Sequence, residues 1–476
     1  MTDQTMNSGG VVAAPRSDTR RWVPPLLALF LLVLLVPGSR DVFGGTTLSA
    51  SRLLLLILFV PLTIAWLSGA GRRIILPDIL IAALGVWILI TYVYNHGMER
   101  VPYGIITGVE LFGGYLLGRI LIRSPADFMR FFVYMMVALT ILLPFALYEL
   151  STSRAIMQEI SQSVLGMSHG NVTDSPRAGT LWRVQSVFQH PILFGLFCSV
   201  AVANIFFIWR DSIAKAFSGA GLALFMTFAS LSSGPFLAAM TQLGLIAWGR
   251  ITRNAWWTLT ILFVSCYVFL EFASNRGMII IIIETFTFNP RTAWWRVHIF
   301  NYGMENVWAN PVFGLGLHDW VRPDWLAPTV DNFWLVLAMR HGIPGFLLLA
   351  TAAALHIWWV IRAADLSERI DRFRTGYMIG FVGLVFALTT VHVWGPTFLL
   401  TMFYIGAGAW LYLDDHSEPR DAGSEPAAPA APAARGPLYR RAVPTTPRAA
   451  AAAPSGARQQ NKAPSYRRPQ QDETAR

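Results

Sequence analysis

Apolar runs, each about as long as the 20 residues a helix needs to cross roughly 30 Å of hydrocarbon, follow one another through most of this chain. No other feature leaves it so few choices of fold. Only helices and closed barrels satisfy their own backbone groups in lipid. Runs such as "LILFVPLTIAWL" and "MMVALTILLPFAL" lack the period-two alternation of a barrel strand. The fold class expected is therefore an all-α integral membrane protein. Composition agrees, with 13% charged residues against about 25% in a soluble domain.

Twelve spans are expected, at 23–38, 49–68, 75–94, 104–122, 129–149, 187–209, 217–231, 235–249, 255–271, 333–361, 376–392 and 396–413. Residues 1–22 read as a disordered cytoplasmic N-terminus. The first apolar run follows "RSDTRR" but has no small-x-small cleavage site after it, so it reads as an uncleaved helix. "GAGRR", "GRILIRSPADFMR", "WRDSIAK", "GRITRN" and "IRAADLSERIDRFR" all carry Lys or Arg, which makes these joints cytoplasmic. "NHGMER" and "HVWGP" carry little positive charge and fall on the opposite side. Both termini are then cytoplasmic. "LSSGP" at 231–235 marks either a tight hairpin or a broken helix. The formal net charge of +10 is the signature of such loops. It is not gathered on one soluble domain, so no nucleic-acid partner is expected. Cys198 and Cys266 both fall inside apolar runs and suggest no disulfide framework, metal site or cofactor.

Three segments do not fit as membrane. Residues 150–186 and 272–332 form two extracytoplasmic loops, the second large and near the C-terminal end. Loops of such length are usually functional or disordered, and the Trp and Phe of the second argue for order at the membrane surface. Residues 414–476, rich in Pro, Ala and Arg, read as a disordered, solvated cytoplasmic tail.

The long loop concentrates Arg276, Arg291, Arg296, Arg322 and, just beyond it, Arg340. Guanidinium groups grip phosphate in a bidentate fork and stay charged. Arg and Trp near helix ends also serve as interfacial anchors, but Pro and Gly interspersed in "WANPVFGLGLHDW" describe a shaped turn. Arg296, Phe300, Met304 and Val307 lie on one face of a short surface helix, which Asn310-Pro311 ends. Gly314 and Gly316 permit tight backbone or close approach to a ligand. Asp331 and Asn332 stand where the next span begins, with Arg340 and His341 inside its first turns. An ionisable residue pushed into a span is a functional candidate by default.

The order Arg296, "NPVFGLGL", "DNFWLVLAMRHGIPG" resembles the signature of the O-antigen ligase and Wzy-type polymerase superfamily. "RVQSVFQHPILFG", Arg183 to Gly195, is similar to that family's Arg-x-x-Ser-x-Phe-x-His-Pro segment. "SLSSGPFLA" falls where members often carry Ser-Arg, and here the Arg is absent. The likeness covers roughly residues 50–413. It implies a glycosyltransferase acting on oligosaccharides carried by undecaprenyl diphosphate in the bacterial inner membrane. Membrane lipids, a chain-length regulator and a flippase are the further partners it implies.

On that reading Arg183, Arg291 and Arg296 bind the diphosphate, since fixed guanidinium groups neutralise a leaving group without a metal. Asp331, His190 and His318 are the candidate catalytic groups, with Arg340, His341 and Asn332 as further candidates. Ligases of the family typically have His where this chain has Asp331, which favours a polymerase of repeat units. Asp331 could equally cap the helix that follows, and a lone His at a helix start, as His190 is before Pro191, is more often structural. A ligase with lipid A core or protein as acceptor is the alternative within the family. A transporter is the alternative from another class, although no matching halves with mid-membrane sites are visible.

Overall fold

The computed structural model describes residues 22–43, 46–69, 72–167, 180–253, 255–273 and 290–413. In chain order the elements are α1 (Val23–Leu34), β1 (Arg40–Phe43), β2 (Thr46–Leu48), α2 (Ala50–Leu67), α3 (Leu76–His96), α4 (Val101–Leu121), α5 (Pro125–Thr152), α6 (Ile156–Leu165), α7 (Pro191–Ser199) and α8 (Ala201–Ile208). They continue with α9 (Ile213–Ala229), α10 (Ser233–Ile251), α11 (Trp256–Ala273), α12 (Pro290–Ala309), α13 (Phe333–Arg362), α14 (Glu368–Leu388), α15 (Gly395–Ala407) and α16 (Trp410–Leu413).

Each of the twelve expected spans coincides with a helix or, for α7–α8 and α15–α16, with two in succession. By length and composition, seven helices among the described residues can cross a membrane: α2, α3, α4, α5, α7–α8, α13 and α15–α16. α1 and α9 are shorter apolar helices. The count of twelve crossings is therefore not reached on that criterion. The all-α expectation needs one addition, an antiparallel two-stranded hairpin pairing Arg40 with Leu48. The expectations for residues 1–21 and 414–476 lie outside the described residues, as do Arg276 and the side chains of Arg291 and Cys266. Cys198 is buried, as its apolar run implies.

Glycines set the closest packing. A Cβ on Gly118 of α4 would lie 2.0 Å from the Phe403 carbonyl oxygen, and one on Gly406 of α15 would lie 2.1 Å from that of Tyr115. Only small residues let two helix backbones meet this way in a bundle without water. At the Arg-rich end Asp78 accepts from Trp66 Nε1 (3.0 Å), Tyr115 Oη (2.5 Å) and Arg119 Nε (3.2 Å). A buried carboxylate needs such partners. Arg372 pairs with Asp211 at the same end, tying α14 to the turn before α9.

The opposite joints gather around one another. Ser161 Oγ on α6 donates to Pro37 O, and Trp182 N donates to Leu150 O. Val184 N donates to Ala229 O, Leu317 N to His96 Nε2 and Phe333 N to Val391 O. This convergence follows from the alternation of joints read in the sequence. "LSSGP" proves to be the tight hairpin, with α10 beginning at Ser233 and Leu231 held at a φ of 42°.

Candidate functional site

A cavity of about 670 Å³ opens at this end of the bundle. Its walls bring together residues far apart in sequence: Arg183 and His190, Ser232 to Gly234, Arg296, Leu315 to Trp320, Pro328 to Asp331, Arg340, and His392 with Trp394. Three folding details place them.

The first is the segment carrying Arg183 and His190. Glu149, at the end of α5, is 1% exposed and accepts from both Gln185 N and Ser186 N at 2.9 Å. Gln158 on α6 donates its amide to Ser186 O (2.9 Å) and Phe188 O (2.6 Å). These bonds hold Ser186 at a φ of 54°, a region that costs a non-glycine residue energy. Arg183 is directed into the cavity wall, where Nη2 donates to Ser232 Oγ at 2.7 Å. His190 caps α7, its Nδ1 accepting from Ile192 N at 3.1 Å. His190 also lines the cavity, so it has a structural bond and a place at the site together.

The second detail is a break in α13. Pro344 has no N–H, so the Arg340 carbonyl lacks its helical partner; it accepts from Gly316 N instead, at 3.0 Å. Met339 O accepts from Leu315 N at 2.7 Å, and Ile343 N donates to Pro311 O at 2.8 Å. Gly342 sits between them at φ 70°, ψ −179°. A Cβ there would lie 1.9 Å from the Val312 carbonyl oxygen. Gly314, at φ 65°, thus brings the turn against Arg340 of the broken helix, and Gly316, at φ 61°, brings it against His96 of α3. Of the two readings open for these glycines, tight backbone is the one seen, and Gly316 also lines the cavity. The break sets Arg340 on the wall and turns His341 away: His341 Nδ1 lies 2.7 Å from Thr91 Oγ1, buried beside Tyr92.

The third detail settles which residue caps α13. Asn332 does so, its Oδ1 accepting from Leu335 N at 3.0 Å. Asp331 is thereby left to face the cavity. Burial raises its pKa above the usual carboxylate value, opposed by the charges of Arg296 and then Arg183. Burial lowers that of Arg296, opposed by Asp331. The two arginines, from separate segments, thus share their field with one carboxyl group.

The packed face of α12 is the expected one in part: Val307 and Met304 lie in it, but Phe300 does not. Ile299 and Val307 are buried, and Gly303 abuts Leu335, whereas Phe300 is 48% exposed. The helix packs by its glycine, a residue that hydrophobic patterning does not weigh. His318 stands at the rim, exposed, its ring 4.3 Å from that of His96. Arg322 is engaged by Asp319 at 2.6 Å and lies outside the cavity lining.

Sequence reasoning missed His392 and Ser232 to Gly234. Burial first, and then Arg340, pushes the His392 pKa down to about 4, so its imidazole is neutral near pH 7. His392 Nδ1 and Arg296 Nε are both buried without a hydrogen-bond partner. Such atoms in a polar cavity are sites that a ligand can satisfy. The available signal is the His-x-Trp-Gly-Pro joint at a helix start, where an imidazole and an indole stand together.

Residues 218–350 match a family model described as O-antigen ligase. The match contains Ser232, Arg296, the 314–316 turn, Asp331 and Arg340, and leaves Arg183, His190 and His392 outside it. It bears out the resemblance to the O-antigen ligase and Wzy-type superfamily that the motifs carry. No curated protein matches the chain.

Proposed function

We propose that this chain is a polysaccharide polymerase, joining undecaprenyl-diphosphate-linked oligosaccharide repeat units at the outer face of the inner membrane. Twelve crossings with both termini inside, and the cavity opening outward, complete this reading. The observation that carries it is Asp331, relieved of capping by Asn332 and electrostatically coupled to Arg296 and Arg183 in one cavity.

The chemistry follows from charge. An acceptor sugar hydroxyl gives its proton to the Asp331 carboxylate while its oxygen bonds to C1 of the donor sugar. The C1–oxygen bond to diphosphate breaks, and its electron pair leaves with the undecaprenyl diphosphate. Attack from the face opposite the leaving group inverts C1. Arg183 and Arg296 neutralise the departing diphosphate, with Arg291 as a further ligand. Guanidinium groups held in place before the reaction need no reorganisation when charge develops. As their field turns to the diphosphate, it lowers the Asp331 pKa less, and the carboxylate becomes a better base. His190, His318 and Arg340 line the walls where the sugars lie, and the neutral His392 imidazole can hydrogen-bond a hydroxyl.

One observation favours a second reading, transfer of finished glycan to lipid A core or protein: the matching family model is described as O-antigen ligase. Size-resolved glycolipids and surface polysaccharide of a deletion strain separate the two. The polymerase reading expects loss of long polymer and accumulation of single lipid-linked repeat units. Long chains stranded on undecaprenyl diphosphate would establish the ligase, and no change in either pool would overturn both.

A further inference from the structure

At the Arg-rich end, away from the cavity, a recess of about 410 Å³ lies between α8, α10 and α14. Arg210, Arg250 and Arg253 line it, and no carboxylate is among its described lining residues. The guanidinium of Arg250 sits 5.5 Å from the Phe206 ring centroid and that of Arg210 6.0 Å from the Phe207 centroid. Cation–π contact holds a guanidinium on one face while leaving its N–H edge available. The nearby Asp211 is taken by Arg372. Leu245, Trp256 and Ile379 form a wall common to this recess and to a second groove of about 410 Å³. That groove is walled largely by Leu259, Met378, Val382 and Ile361, the last two exposed.

We infer that the paired recess and groove bind one anionic phospholipid, its phosphate held by Arg210, Arg250 and Arg253 and an acyl chain laid along α11 and α14. Charge complementarity selects the occupant: a recess lined by three arginines, with no carboxylate among its described lining residues, beside a largely apolar channel fits a headgroup and its tail together. A free phosphate leaves the groove unfilled, and a zwitterionic lipid brings its own cation against the arginines. Basic recesses between spans on the Arg-rich side are suited to anionic headgroups for this reason.

The test uses the full chain, purified and delipidated in a neutral detergent. Dioleoylphosphatidylglycerol, dioleoylphosphatidylcholine and inorganic phosphate are titrated separately, reading the unfolding midpoint and lipid retained in native mass spectrometry. Phosphatidylglycerol should raise the midpoint and remain bound, with the other two weaker by roughly tenfold or more. R210Q/R250Q/R253Q should lose that preference while unfolding, lipid-free, at the parental temperature. Val382→Trp, which fills the groove, should weaken retention of the lipid with the arginines intact. Removing as many arginines elsewhere at this end, R130Q/R362Q/R369Q, should leave binding unchanged. Equal shifts with phosphatidylcholine or with inorganic phosphate, or equal losses in both triple variants, would overturn the assignment.

Discussion

Replacing Asp331 and Asn332 one at a time separates two roles that adjacent residues at a helix start cannot reveal from sequence. Asn332 supplies the cap bond to Leu335 N, so Asn332→Ala should destabilise the protein by about 1 kcal/mol. Arg296 and the other cavity residues stay in place, and specific activity of the folded fraction should change by less than about threefold, less than 1 kcal/mol of barrier. Asp331→Asn removes a charge whose burial already disfavours it more than the arginines favour it. Its unfolding midpoint should therefore hold or rise slightly, within about 1 kcal/mol. Catalysis should fall by about 10² to 10⁴, the usual contribution of a positioned base. The assay pairs thermal unfolding in detergent with turnover of lipid-linked oligosaccharide, each normalised to folded protein. If Asp331→Asn turns over normally, or Asn332→Ala loses activity well beyond its loss of stability, the division of roles is wrong.

Other outcomes follow from the same geometry. Arg296→Ala and Arg183→Ala should each reduce polymer output by about 10² or more at normal protein levels, as expected when a charge-stabilising donor is removed; quantitative immunoblots alongside glycan profiles check both. Gly342→Ala places a Cβ 1.9 Å from the Val312 carbonyl oxygen and should cost more than about 3 kcal/mol, lowering the yield of folded protein. Glu149→Gln leaves one of two backbone donors, Gln185 N or Ser186 N, facing an amide N–H; a stability loss of about 2 kcal/mol is expected, with activity falling further as Arg183 shifts. In the proposed mechanism Asp331 acts as the anion, and its pKa is raised; the rate should therefore fall with decreasing pH through an acid limb above the ordinary value of about 3.9. A rate profile without that limb would count against Asp331 as base.

The helices were legible because an apolar run long enough to cross lipid permits little besides a helix; which of them cross was less so, since seven meet the length and composition of a span among the described residues. Arg183, Arg296 and Asp331 were legible because charge is expensive in such a chain and stands out. The cap was not: Asp and Asn both accept from a helix N-terminus, and only backbone geometry shows that Asn332 does so. The packed face of α12 was legible only in part: Val307 and Met304 lie in it as expected, but Gly303, with no side chain, makes its closest contact. His392 escaped notice because Arg340, whose charge acts on it, and Phe333, whose ring stacks on it, reach it only through the tertiary fold. The break at Gly342 was half visible, as Gly-Ile-Pro inside an apolar run, but its pairing with the 311–316 turn was not.

The most direct measurement is turnover by the purified protein in liposomes, supplied with undecaprenyl-diphosphate-linked oligosaccharide extracted from a strain that lacks it. Longer lipid-linked glycans together with released undecaprenyl diphosphate are expected, both lost in Arg296→Ala and Asp331→Asn. Extension that persists unchanged in those two variants, or folded parent protein that releases no undecaprenyl diphosphate, would contradict the proposed function.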